Sequence, residues 1–201
     1  MSTILTTRKP FRTALAVLAV AALPVAAVAV PTAVARTTTA TTTAQTTAAA
    51  CATGWGSLRE ATNRNTAPAL TAVRTGRHAC FDRIVFDVAG KPTGYHVSYV
   101  KNVYQDGSGD LVPLRGGAKL QIVVHAPSYN DAGRATYRPA NRKELTNVSG
   151  YRTFRQVASG GSFEGQTTVG LGVRARLPFR VFTLAGPGSH SRIVVDVAHR
   201  W

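Results

Sequence analysis

The sequence predicts an all-β fold, an antiparallel β-sandwich with approximate internal two-fold symmetry. Three observations lead there. First, Arg83-Ile84-Val85-Phe86-Asp87-Val88-Ala89 is nearly repeated as Arg192-Ile193-Val194-Val195-Asp196-Val197-Ala198, with only Phe86 against Val195 differing. Both stretches are rich in β-branched residues and too short for a helix, so both read as strands. Each follows a Gly-x-His, Gly76-Arg77-His78 and Gly188-Ser189-His190. A strand repeated near both ends of a domain suggests two related halves. Second, no window of about a dozen residues carries a 3.6-residue apolar period. Third, short alternating runs are punctuated by turn residues roughly every 8 to 12 positions, the spacing of a sandwich or barrel.

The elements follow in order. Residues 70–75 form a strand ending at Gly76, and residues 81–89 the next, with Ile84, Phe86 and Val88 on one face. Gly90-Lys91-Pro92-Thr93-Gly94 is a turn. Residues 95–103 follow, Tyr95, Val97 and Tyr99 alternating against His96 and Ser98. Asp106-Gly107-Ser108-Gly109-Asp110 is another turn. Leu120, Ile122 and Val124 alternate against Lys119, Gln121, Val123 and His125. Residues 126–141, with Pro127, Gly133 and Pro139, read as a loop. Short strands are expected over 144–148 and 154–158, and longer ones over 166–173, 179–184 and 192–198.

Ahead of this lies a targeting segment. Arg8, Lys9 and Arg12 form a basic n-region, residues 14–30 are apolar and Ala-rich, and Ala33-Val34-Ala35 supplies an A-x-A cleavage signal. Residues 1–35 are therefore expected to be a signal peptide cut after Ala35. The apolar run is short for a membrane span and Pro24 interrupts it; an uncleaved anchor is the alternative. Residues 36–50 are almost all Thr and Ala, cannot bury a core, and read as a disordered linker. Residues 51–201 form the folded domain, long enough to close a hydrophobic core. With no other stretch able to cross a membrane, the mature chain is expected to be secreted, without a transmembrane segment.

Export makes a disulfide the first reading of the two cysteines, Cys51 and Cys80. The competing reading is a lipobox at Ala48-Ala49-Ala50-Cys51. It lacks the expected Leu, lies far from the apolar run, and would leave Cys80 unpaired.

The chain carries 24 Lys and Arg against 9 Asp and Glu. Four of those cations, Arg8, Lys9, Arg12 and Arg36, precede residue 51, so the domain keeps 20 against the same 9 acids, a net charge of +11. Arg, the bidentate partner for carboxylate and phosphate, outnumbers Lys by 19 to 5. In the cytosol such an excess suggests nucleic acid. Export removes nucleic acid as a partner and favours anionic envelope material. An Arg-rich surface that reflects only GC-rich codons is the plain alternative.

Catalytic signatures are scarce. Ser108, Ser149, Ser162 and Ser189 lack the glycines of a nucleophile elbow. His78, His96, His125, His190 and His199 show no short ligand spacing, so neither metal nor cofactor is expected. The Asp106–Asp110 stretch is similar to a calcium loop, but Gly117 stands where the bidentate Glu belongs, and a hairpin turn is the reading. Glu164, in a Gly-rich loop, is the most notable acid; a neighbouring Arg such as Arg174 or Arg176 is its expected partner. A glycosidase needs two carboxylates in one cleft. Asp87 and Asp196 read as ion-pair or ladder-edge residues.

Leu70-Thr71-Ala72-Val73-Arg74, a short turn, then Arg83-Ile84-Val85-Phe86-Asp87-Val88 resembles the AMIN domain. Further runs match more closely: Cys51-Ala52-Thr53-Gly54-Trp55-Gly56, Arg74-Thr75-Gly76-Arg77-His78, Asn147-Val148-Ser149-Gly150-Tyr151, Phe163-Glu164-Gly165-Gln166-Thr167-Thr168, and Arg174-Ala175-Arg176-Leu177-Pro178-Phe179-Arg180-Val181-Phe182. With these, residues 51–201 resemble the AMIN-like domain of secreted actinobacterial proteins. The resemblance implies a β-sandwich of two similar sheets and a role in binding peptidoglycan. No catalytic domain follows in this chain, so the implied role is binding without cleavage. No residue-level binding motif carries over.

The ligand-binding candidates therefore come from the residues themselves: Arg74, Arg77, Arg152, Arg155, Arg174 and Arg176 as forks for stem-peptide carboxylates, and Trp55 and Tyr99 as faces for sugar rings. Arg152 and Arg155 flank Phe154, and Arg174 and Arg176 are expected to alternate on one strand face. The expected function is a secreted, cell-envelope-associated, non-catalytic module binding peptidoglycan or another anionic envelope polymer. The alternatives are a wall-polymer hydrolase centred on Glu164 or a histidine cluster, and a protein–protein module of an envelope complex.

Overall fold

Among the described residues eleven strands, all paired antiparallel, make up the regular structure: β1 Glu60–Thr62, β2 Leu70–Arg77, β3 Phe81–Ala89, β4 Tyr95–Val100, β5 Val103–Tyr104, β6 Leu111–Val112, β7 Ala118–Val124, β8 Phe154–Phe163, β9 Gln166–Val173, β10 Phe179–Ala185 and β11 His190–Ala198. The computed structural model describes residues 51, 54–66 and 68–201. The expected signal peptide and linker lie outside the described residues. Among the described residues no helix is long and apolar enough to cross a membrane.

One sheet has five strands in the order β1-β4-β7-β9-β8, the other four in the order β10-β11-β3-β2, and β5 and β6 form a separate hairpin. The alternation read in the sequence sets the inner faces. Ile84, Phe86, Val88, Ile193, Val195 and Val197 of the four-stranded sheet share one buried cluster with Val97, Leu120, Ile122, Val124 and Leu171 of the five-stranded sheet. Each inner residue is fully buried, so the two faces close on each other as a sandwich.

The repeated stretches are neighbours in a single sheet. β3 and β11 pair antiparallel with Val85 opposite Val194, Arg83 opposite Asp196, and Asp87 opposite Arg192. Beyond them, Leu70 faces Val88 and Phe179 faces Val197, equivalent places in the two flanking hairpins. A β-bulge between Leu70 and Ala72 then shifts the first hairpin by one residue. This register does not establish two related halves. From β2 onward the chain visits the four-, five-, five- and four-stranded sheets, and β1 has no counterpart.

β9 is buried along both faces because the chain after β6 crosses its outer side. A Cβ on Gly170 would meet the Leu114 side chain, and one on Gly172 would meet the Arg115 carbonyl oxygen. Glycine at these positions is what lets the crossing approach.

Three expectations differ from the structure. The strand expected over 95–103 breaks after Val100, and β5 leaves the sheet to pair with β6. Residues 144–148 are loop. Leu145 N–H bonds Val157 C=O and the Asn147 side chain accepts from Ser149 N–H, a local turn that replaces a ladder. β8 runs five residues past its expected end, to Phe163, and turns back through Glu164 and Gly165 at φ 48° and 78°. That two-residue loop places Glu164 on an exposed hairpin tip.

Candidate functional site

The β2–β3 turn is tied to three other parts of the chain. Cys80 is bonded to Cys51, 29 residues earlier, with Cα atoms 5.3 Å apart. Two residues on, the Asp82 side chain is buried, although Asp82 lies in a strand whose next buried positions are apolar. Its Oδ2 accepts hydrogen bonds from Thr153 N–H at 2.6 Å and Phe154 N–H at 3.2 Å. Its Oδ1 lies 3.1 Å from His199 Nε2, and His199 Nδ1 lies 3.2 Å from the Ala79 carbonyl. Both ring nitrogens therefore face acceptors. The backbone closes the same circle, with His199 N–H donating to Cys80 C=O at 2.9 Å.

This knot forms the wall of a cavity of about 390 Å³ lined by Arg77, His78, Asp82, Gly150, Arg152 and His199. The Asp82 carboxylate oxygens accept from two amides and lie against an imidazole, and neither Arg77 nor Arg152 forms an ion pair with Asp82. Arg77 is exposed and makes no side-chain hydrogen bond to the described residues. Among the described residues the Arg152 side chain makes one long bond, Nη1 to Ala79 C=O at 3.4 Å. His78 stacks on Phe81, with centroids 4.4 Å apart. The arrangement is a cationic bowl with a rigid floor, suited to an anion that brings its own acceptors.

The other candidates lie around it in varied roles. Arg155 donates to the carbonyls of Tyr151, Arg152 and Phe154, and so braces the segment that carries Arg152. Arg174 donates to His199 C=O and holds the same residue from the other side. Arg174 and Arg176 follow β9 in a bend and do not share a strand face, which corrects the expected alternation. Arg176 is held by the Ser57 hydroxyl and carbonyl at 3.1 and 2.8 Å, and covers the Tyr99 ring at 4.8 Å. The Tyr99 hydroxyl donates to Leu177 C=O at 2.8 Å and accepts from Leu177 N–H at 3.0 Å. Arg74 is paired with Asp87. Trp55 is capped on one face by the Arg180 guanidinium, 4.4 Å from its ring centroid.

Of the eight candidates the fold thus brings Arg77 and Arg152 to one cavity and uses Arg155 and Arg174 behind it. Arg74, Tyr99, Arg176 and Trp55 are engaged elsewhere. Glu164 is separated from Arg174 by the whole of β9, about 27 Å at a strand's rise per residue, so the expected pairing is not made. Sequence reasoning passed over His78 and His199 as site residues. The available signal was positional, since His78 belongs to a Gly-x-His before one repeat and His199 directly follows the other. Among the described residues no group of three or more His, Cys, Asp or Glu is placed to hold a metal.

No curated protein matches the chain. A protein-family model, that of the AMIN-like domain, matches residues 68–199.

Proposed function

The chain belongs to the AMIN-like domain family, and from that premise we propose that it is a secreted, non-catalytic module that binds the cell envelope, with peptidoglycan as its ligand. The observation that carries the reading is the cavity at the disulfide end, where Arg77, Arg152 and His78 surround an aspartate whose oxygens are already engaged by backbone amides and His199. Stem-peptide carboxylates offer the planar two-oxygen acceptor that a guanidinium fork fits. The disulfide and the family are consistent with an extracytoplasmic location. In this proposal cleavage after Ala35 releases the protein, residues 36–50 are the linker left ahead of the domain, and residues 51–201 bind.

The test is sedimentation with purified cell wall and titration with soluble muropeptides, at low and high salt. Salt-sensitive binding without released fragments, weakened about tenfold by Arg77→Gln with Arg152→Gln, is the expected result. Release of muropeptides by the wild-type protein would replace this reading with a hydrolase. Binding unchanged in the double variant would move the site elsewhere.

A further inference from the structure

A second cleft, between the β5–β6 hairpin and β8, has different chemistry. Its volume is about 520 Å³, within the usual range of small-molecule sites. One wall is apolar: Leu111, Val112, Pro113, Leu114 and Ala158. Leu111 is 53% exposed, and Tyr104, opposite it in the hairpin, is 49% exposed. Apolar surface left open beside a cavity is a common mark of a binding site.

The polar groups of the cleft divide into those already used and those left over. The Gln156 side chain accepts from Arg115 N–H at 2.8 Å and donates to Lys143 C=O at 2.9 Å, so both of its ends are taken. Arg115 is paired with Glu144 and also donates to Arg155 C=O. Arg142 and Lys143 also line the cleft. Their backbones are pinned to β8, Arg142 C=O accepting from Ser159 N–H at 2.8 Å and Lys143 C=O from Gln156. Neither cationic head has a hydrogen-bond or ion-pair partner among the described residues. Of the nearby carboxylates, Glu144 is held by Arg115, and Asp106 lines the adjoining cleft on the Arg142 side.

We propose that this cleft binds a single-chain anionic amphiphile, an alkyl chain ending in a phosphate monoester. The chain lies against Leu111, Pro113, Leu114 and Ala158, and the headgroup is taken by Arg142 and Lys143. Two cations that follow each other in the chain and both line the cleft, a fork and a point charge, suit a dianion better than a single carboxylate. A free phosphate leaves the apolar wall uncovered, and an uncharged chain leaves the two cations unused. The site is separate from the Arg77–Arg152 cavity, so either proposal can fail without the other.

The experiment uses octyl phosphate as a monomeric probe, with octylphosphocholine and inorganic phosphate as controls, followed by amide chemical shifts and calorimetry. Octyl phosphate is expected to bind saturably and to shift Leu111, Leu114, Arg142 and Ala158. Both controls are expected to bind at least about tenfold more weakly. Arg142→Gln should weaken octyl phosphate about tenfold. Leu111→Glu, which sets a like charge at the mouth, should abolish binding. Both side chains are exposed, and unchanged amide dispersion verifies that the variants fold. Equal affinity for inorganic phosphate would overturn the role of the apolar wall, and equal affinity for the choline ester the role of the cations. Absence of octyl phosphate binding, or binding unchanged in Arg142→Gln, would overturn the site itself.

Discussion

Arg83 and Asp196 join the two repeats directly. Arg83 donates Nε to Oδ1 at 2.6 Å and Nη2 to Oδ2 at 2.9 Å, and the Asp196 carboxylate is fully buried. Arg180 adds a third bond, Nε to Oδ2 at 2.9 Å. The pair equivalent by sequence, Arg192 opposite Asp87, is not made. Asp87 is taken instead by Arg74, whose side chain is 59% exposed, and Arg192 donates to Ala185 C=O. Two aspartates at the same place in a repeated strand thus sit in unlike environments.

Asp196→Asn is therefore expected to cost about 2 kcal/mol, below the full cost of breaking a buried pair because both guanidiniums reach water. Asp87→Asn should cost less than about 1 kcal/mol, as for an exposed pair. Urea denaturation of the two variants at neutral pH checks the ranking, and equal losses would contradict it.

The Cys51–Cys80 bridge closes a separation of 29 residues, for which loop-closure entropy gives about 3 to 4 kcal/mol. The Cys51→Ala, Cys80→Ala double variant should lose stability of that order in denaturant titration. The unreduced, denatured protein should show no reactive thiol.

Arg77 and Arg176 should separate binding from folding. Arg77→Gln removes a side chain with no hydrogen-bond partner among the described residues, so muropeptide affinity should fall while the melting temperature stays in place. Arg176→Gln loses two bonds to Ser57 and its cover over Tyr99. It should cost about 1 kcal/mol and a few degrees of melting temperature with little change in affinity. Calorimetry and binding measured on both variants give a two-by-two comparison.

Gly172→Ala forces a methyl group against the Arg115 carbonyl, which is backbone and cannot rotate away. A loss of about 1 to 3 kcal/mol is expected, as for overpacking. Gly56→Ala is the control, since a Cβ there meets nothing closer than 3.9 Å.

Burial first, then Arg59 and His125, hold the His96 imidazole below its ordinary value of 6.5. The unfolded chain takes up the proton as pH falls through about 6.5 while the folded chain resists it, so this group removes stability on acidification. His96→Gln should shrink the loss of stability between pH 7.5 and pH 5. A loss identical to wild type, measured by urea titration at both pH values, would show that other groups set it.

The sequence by itself determined the strands that alternate. Residues 81–89 and the inner residues of β7 are found where the period of two placed them, because alternation is a property of neighbours along the chain. It determined the cysteine partners by count and the hairpin turn at 106–110 by its glycines. Strands of two or three residues, β1, β5 and β6, offered no period to read. The pairing of the repeats with each other and the meeting of Asp82 with His199 across 117 residues arise only when the sheets close. The tertiary structure alone also decided which arginines are spent on carbonyls and which face a cavity. A charged side chain looks the same in sequence whether a distant backbone carbonyl or water accepts its protons. The difference exists only once the sandwich has closed and fixed which acceptors lie within hydrogen-bond reach.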